Sequence, residues 1–225
     1  MTKRTSKGKC SLCDGSFSKA AMTKHLKTCK QKKGISESTS GRLSPQKTRN
    51  LHLVVEGRYL PEYWMHLEAP ANATLEGLDS FLRNAWLECC GHLSAFTIQG
   101  TRYEVAENEF MGVELMDVAL DEVLSPGMKF FHEYDYGTTT DLILKVVSER
   151  ESEIKGKSIH LLARNEPPSI TCESCGKIAT QVCSQCIWSG KGWLCNECAA
   201  KHECGEDMFL PVVNSPRVGM CGYTG

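Results

Sequence analysis

Eleven of the thirteen cysteines in this 225-residue chain fall in two groups, one near each end. The first reads Cys10-x2-Cys13-x11-His25-x3-Cys29. The second reads Cys172-x2-Cys175-x7-Cys183-x2-Cys186-x8-Cys195-x2-Cys198-x3-His202-x-Cys204, with Cys221 further on. Thiolates and imidazoles at this spacing are ligands for a tetrahedral ion, zinc above all. Such sites replace a hydrophobic core in a small module, and modules of that kind bind partners more often than they catalyse. Disulfides are the competing use of the cysteines. The repeated Cys-x2-Cys step is a chelator's spacing, and a reducing compartment favours metal.

In the first group, the Cys10–Cys13 knuckle presents two thiolates from one tight turn. His25 and Cys29, four positions apart, share a helix face because 3.6 residues make a turn. Phe17, Met22 and Leu26 are available for a miniature core, and Ser18 is placed to cap a helix running to about Cys29. The segment resembles a ββα zinc finger whose last His is replaced by Cys, with a Cys13-to-His25 gap one residue short of the usual twelve. Lys19, Lys24, Lys27 and Lys30 decorate the helix, and Lys32 and Lys33 follow it.

In the second group, three Cys-x2-Cys pairs, His202 and one further thiolate make eight donors, enough for two ions. Serial pairs seven to eight residues apart suit a cross-brace, in which alternate pairs share a metal. The segment resembles the B-box and related cross-brace domains. Cys172, Cys175, Cys195 and Cys198 then hold one ion, and Cys183, Cys186, His202 and a last cysteine hold the other. Cys204 is the favoured last ligand because it is closest, with Cys221 as the alternative. All eight positions are filled by protein, and a closed shell is structural rather than catalytic. Three zinc ions are expected in total. Cys89-Cys90-x-His92 is set aside as a chelator, because adjacent cysteines at the end of a helix converge poorly on one ion.

The elements that must position these groups follow from periodicity. Leu51, Leu53 and Val55 alternate with polar residues, as in a half-buried strand, and Trp64 to Leu67 makes a second, ended near Pro70. From Thr74, a candidate N-cap, Leu75, Leu78, Leu82, Ala85 and Trp86 recur at helical steps until Gly91. Short strands are expected at Phe96–Ile98 and Tyr103–Val105, a helical turn at Ala119–Leu124, and strands at Lys129–Tyr134, Leu142–Ser148 and Ser158–Leu162. The expected fold class is α+β, a mostly antiparallel sheet packed on helices with small zinc-stabilised modules at both termini. The division is a zinc finger over 1–30, a basic flexible linker over 31–49, an α+β domain over 50–166 and a cross-brace module over 167–225.

Along the middle run Trp86-x5-His92-Leu93-x2-Phe96, then Leu120-Asp121-Glu122-Val123-Leu124, Pro126-Gly127, and Phe131-x2-Tyr134-Asp135-Tyr136-Gly137. In that order, over roughly residues 50–165, they resemble the plasmid pRiA4b ORF-3-like family. The resemblance implies an α+β fold and a loose link to mobile DNA. Relatives often follow the Tyr-Asp-aromatic-Gly turn with acidic residues, a Trp and a His. Here Thr138-Thr139-Thr140-Asp141-Leu142 stands there instead, which leaves Asp135 without a partner nearby in sequence. Its expected role is to cap its turn. His52, His66, His132 and His160 have no chelating partner close by and read as ordinary packed or surface histidines, and Trp86 reads as core.

Charge divides the chain. Residues 1–49 carry thirteen Lys and Arg against Asp14 and Glu37, a net of +11, while the remainder carries thirteen basic and twenty-five acidic residues, a net of −12. This asymmetry points the basic end toward DNA or RNA, and the resemblance of residues 167–225 to cross-brace modules implies a protein partner there. There is no Gly-rich phosphate loop, no Gly-x-Ser-x-Gly, no His-Glu-x-x-His and no three-ligand zinc site, so no catalytic residue is assigned and the protein is read as non-enzymatic. No apolar run approaches a membrane span, and the basic Met1–Lys9 stretch lacks the apolar core of a signal peptide, so a cytoplasmic protein is expected.

Overall fold

A computed structural model of the chain describes residues 6–29, 48–106, 112–152 and 158–225. In chain order the strands are β1 (Lys7–Cys10), β2 (Ser16–Ser18), β3 (Thr48–Gly57), β4 (Trp64–Pro70), β5 (Ser94–Ile98), β6 (Thr101–Glu104), β7 (Val113–Leu115), β8 (Lys129–Tyr134), β9 (Thr140–Ser152), β10 (His160–Asn165), β11 (Gln181–Cys183), β12 (Trp193–Leu194) and β13 (Phe209–Pro211). The helices are α1 (Lys19–Thr28), α2 (Leu75–Leu82), α3 (Leu120–Val123) and α4 (Asn196–Ala199). The architecture is mostly sheet with few helices. Of the stretch expected as a linker, Thr48 and Arg49 open β3, and residues 31–47 lie outside the described residues.

Ten strands make one sheet among the described residues, in the order β2-β1-β10-β4-β3-β9-β8-β5-β6-β7, and a second sheet runs β12-β11-β13. The large sheet is antiparallel except for the β6–β7 pair. The finger therefore does not stand apart from the middle of the chain: β1 pairs with β10, Gly8 opposite Asn165 and Cys10 opposite Ala163.

The two faces of the sheet are used differently. Leu51, Leu53 and Val55 of β3, Met65, Leu67 and Ala69 of β4, and Leu142, Leu144 and Val146 of β9 share one core with Leu75, Leu78, Leu82 and Trp86. The residues between them point the other way. In β4 those are Trp64, His66 and Glu68, and they are buried too. Trp64 belongs to a second cluster with Cys10, Met22 and Leu26 of the finger and Leu162 and Ala163 of β10. The finger thus covers the Trp64 end of the back of β4, while Arg150 engages Glu68 further along, and all seven residues of that strand are buried.

Thr74 caps α2, its Oγ1 accepting from the Gly77 amide at 3.1 Å. The helix does not continue to Gly91. It widens into a π-helical turn over Arg83–Leu87, and Glu88 leaves it in an extended conformation. Gly91 then takes a φ of 77°, where a side chain would be strained, and turns the chain into β5.

Candidate metal centres

The finger's first two donors sit on a turn closed by Asp14 N–H to Cys10 O (2.8 Å) and Cys10 N–H to Gly15 O (2.9 Å). The other two come from α1, which begins at the Ser18 cap, with Ser18 Oγ accepting from Ala21 N. Met22 and Leu26 face inward, and this orientation carries His25 and Cys29 to the knuckle. Cys13 Sγ and His25 Nε2 are 3.3 Å apart, and Phe17 stacks on the imidazole with ring centres 4.2 Å apart. The donor atoms of Cys10, Cys13, His25 and Cys29 all lie within 4.8 Å of one another.

At the other end, alternate pairs converge. Cys172 and Cys175 flank a turn in which Gly176 (φ 74°) donates to Cys172 O. Cys195 precedes α4 and Cys198 lies on it, so the second pair is offered from a helix N-terminus. Cys175 and Cys195 sulfurs are 3.6 Å apart. Cys183 ends β11, Cys186 follows it, and Cys186 and Cys204 sulfurs are 3.7 Å apart. The two groups are Cys172, Cys175, Cys195, Cys198 and Cys183, Cys186, His202, Cys204. Cys204 completes the second group, and Cys221 is elsewhere.

Charge repulsion among the sulfurs is the reason a cation suits such groups. The thiol of Cys172 is drawn down to about 6 and that of Cys183 to about 7: burial resists this, but backbone amides in their knuckles, and neighbouring donors, point at the sulfur. The later members pay for that first ionisation. Cys198, beside Cys175 and Cys195, is pushed up to about 12, and Cys204, beside Cys186 and Cys183, to about 11. Burial takes Cys10 up to about 11. Thiols this close cannot all ionise alone; a divalent ion among them removes the repulsion. His202 Nε2 is also buried without a hydrogen-bond partner. Four soft thiolates, as around Cys172, or three with one imidazole, as in the finger and around Cys183, fit zinc.

The expectation of three clusters needs one correction, because the structure brings together a fourth: Cys89, Cys90, His92 and Cys221, again within 4.8 Å. The objection to adjacent cysteines placed them in the last turn of a helix ending at Gly91. Since the π turn ends at Leu87, residues 88–92 are not helical, and Gly91, whose amide donates to Glu88 Oε1 at 2.6 Å, reverses the chain so that His92 returns to the sulfurs. Cys89 and Cys90 sulfurs are 3.6 Å apart and Cys90 and Cys221 3.7 Å; His92 Nε2 is 3.0 Å from Cys90 and 3.1 Å from Cys221. The four clusters could hold metal ions and are compatible with zinc.

Beside the fourth cluster, Asp135 does cap its turn, its Oδ1 accepting from the Gly137 and Thr138 amides, at a φ of 65°. It also has a partner that no local reading reveals. Arg217, fully buried, donates from Nη2 to Asp135 Oδ2 (2.7 Å) and Cys89 Sγ (3.3 Å), and from Nη1 to Thr138 O and Thr140 Oγ1 (3.1 Å each). Burial works to raise Asp135, but the guanidinium and the turn amides hold it below the usual carboxylate range.

Among the described residues, the remaining histidines belong to none of the four clusters. His52 Nε2 and His66 Nδ1 are 2.9 Å apart and buried, and burial first pushes them down to about 4 and about 3. His132 Nε2 lies 2.7 Å from Asp79 Oδ1, both buried. Trp86 is core, and Trp188 is 67% exposed. On the finger, Lys24 and Lys27 point outward, whereas Lys19 pairs with Glu56 of β3. No helix of the described residues is long and apolar enough to cross a membrane.

No curated protein matches the chain. Among solved structures it is similar to the crystal structure of a protein of unknown function, MM3350 from Methanosarcina mazei Go1, with 13% identity and a TM-score of 0.48 over 54% of this chain and 72% of that one. The family model for the plasmid pRiA4b ORF-3-like protein matches residues 50–179, from β3 through the Cys172–Cys175 knuckle, and the chain belongs to that family.

Proposed function

We propose that this protein is a zinc-scaffolded, non-enzymatic interaction protein that grips nucleic acid with its basic N-terminal segment and a protein partner with its C-terminal cross-brace. One observation carries the reading: each of the Cys/His groups at the two ends offers four protein donors, which leaves no coordination position for a substrate. The metal then builds surfaces. The finger presents Lys24 and Lys27 on the side of α1 away from Met22 and Leu26, in a segment of net charge +11. Opposed to it is a body of net charge −12 that repels a polyanion and so directs it to one end. The thirteen thiols suit a reducing, cytoplasmic setting.

A mobility-shift titration against salt tests the nucleic-acid half. Binding to DNA or RNA should weaken steeply as salt rises, because each neutralised phosphate releases counterion. Lys24→Glu with Lys27→Glu should lower the slope of log K against log salt by ~1 for each phosphate no longer neutralised. Absence of binding even at low salt removes this half. A second reading is then favoured by the structure's own ion pairs. Lys19 and Lys9 engage Glu56 and Glu166 of the body, and Trp188 and Ile178 are exposed on the C-terminal module. On that reading the chain is a protein-interaction adaptor whose basic arm is passive.

A further inference from the structure

We infer that Cys89, Cys90, His92 and Cys221 hold a fourth zinc ion, which fastens the C-terminal tail onto the family domain and is the most exchangeable of the chain's metals. This rests on the metal-scaffold reading and extends it to a site with a different job.

Three observations converge. The first is geometry. A tetrahedral shell with Zn–S of ~2.3 Å sets its sulfurs ~3.8 Å apart. The 3.6 and 3.7 Å separations here match that edge and equal those in the two C-terminal groups. They are also far beyond the ~2.05 Å of a disulfide. The second is completeness. Thirteen cysteines with His25, His92 and His202 fall into four groups of four, and no thiol is left over. The third is the charge around the site. Three thiolates on one Zn²⁺ leave a net negative charge, and the buried guanidinium of Arg217 touches Cys89 Sγ while Asp135 Oδ2 balances its other side, 3.5 Å from His92 Nε2. Outer-shell groups of this kind orient ligands and stabilise their charged form.

The job follows from where the donors come from. In the finger and the cross-brace, all four donors of a site belong to one module. Here three come from the segment between α2 and β5, and the fourth from the chain's last five residues. Between them the tail is already threaded into the domain: Ser215 Oγ donates to Trp86 O at 2.6 Å, and Ser215 through Gly219 are buried. A metal at Cys221 closes that tail at its far end. Exposure sets the exchange order. Each of the other three groups contains a buried cysteine, whereas in this one Cys90 and Cys221 are exposed and none of the four is buried.

Native mass spectrometry of the zinc-loaded full chain tests the inference. Four zinc ions are expected in the wild type and three in Cys221→Ser, a change at an exposed position that spares the core. His92→Gln should give three as well, and serves if the first variant folds poorly. With limiting chelator, one zinc should leave the wild type at least tenfold faster than the rest, and this fast ion should be missing from Cys221→Ser. Hydrogen exchange over residues 213–225 should rise in the variant. Three zinc ions in both wild type and variant overturn the fourth site while leaving the scaffold reading intact; one or none in the wild type overturns both. Loss of the fourth ion with unchanged tail protection overturns the fastening role.

Discussion

Gly8 sits where the finger meets the sheet, and Gly8→Ala should loosen that joint. A Cβ built at Gly8 stands 2.3 Å from the Arg164 carbonyl oxygen and 2.5 Å from the Trp64 ring. Neither neighbour can swing aside. The carbonyl is backbone of β10, and the indole is held by its Nε1–H to Ser6 Oγ (2.8 Å) and by the packed finger cluster. Relief to an ordinary contact of ~3.5 Å requires β1 to retreat by ~1 Å. That retreat stretches the β1–β10 ladder, including the 2.8 Å bond from Glu166 N–H to Lys7 O.

Overpacking of this kind costs ~1–3 kcal/mol. In a chain of this size each kcal/mol moves the melting temperature by ~2–4 °C, so a fall of ~2–12 °C is expected. The ligands are untouched, so zinc content should not change. Thermal unfolding gives the magnitude, and hydrogen exchange gives the location: protection should drop in residues 6–10 and 160–166 and hold at β3 and β9. An unchanged melting temperature with unchanged exchange would show that β1 is not zipped to β10, and the finger would have to be treated as an independent module.

Two other perturbations test the buried polar contacts. His52 and His66 stay neutral in the fold down to about 4 and about 3, whereas an unfolded histidine titrates near ~6.5, so the unfolded chain binds protons first as pH falls. Each should therefore cost ~1.4 kcal/mol of stability per pH unit below ~6.5, and the double change His52→Leu with His66→Leu should flatten the denaturant-measured pH dependence relative to wild type between pH 6.5 and 5. Arg217→Met leaves the Asp135 carboxylate buried beside Cys89 without its cation; a loss of ~3–5 kcal/mol is expected in chemical denaturation, and most of it should return when Asp135→Asn is added.

What could be read from the chain was what is local. The pairing of Cys-x2-Cys knuckles is a matter of a few residues. So are the alternation of Leu51, Leu53 and Val55, which formed β3 (Thr48–Gly57), and the three- and four-residue steps from Thr74, which placed the start of α2 at Leu75 but not its end at Leu82. The fourth cluster is not local: Cys221 is 129 residues from His92. Helical periodicity also carried the reading through Cys89 and Cys90 as if the helix ran on to Gly91. A π turn has no sequence period of its own to betray it. The docking of the finger was equally hidden, since β1 is a short polar strand. Its one signal was Gly8, a glycine inside a strand, which marks a place where another backbone comes close. Arg217 gave none, because a buried arginine and an exposed one look alike until the tail is folded back.

The two ends of the chain consequently do more than carry modules. The finger lies over Trp64 on one face of the sheet, and the tail inserts Ser215 and Arg217 against Trp86, Tyr134 and Asp135. Remove either and the family domain exposes what the other residues cannot cover: an indole and two neutral histidines on one side, a carboxylate and a tyrosine ring on the other. Metal affinity in the finger and at Cys221 is then linked to the stability of the middle of the chain, since an ion that binds the folded form and not the unfolded one stabilises everything that folds with it. Stripping metal from either end should therefore loosen strands that carry no ligand, β4 and β10 beneath the finger and β8 beside the tail.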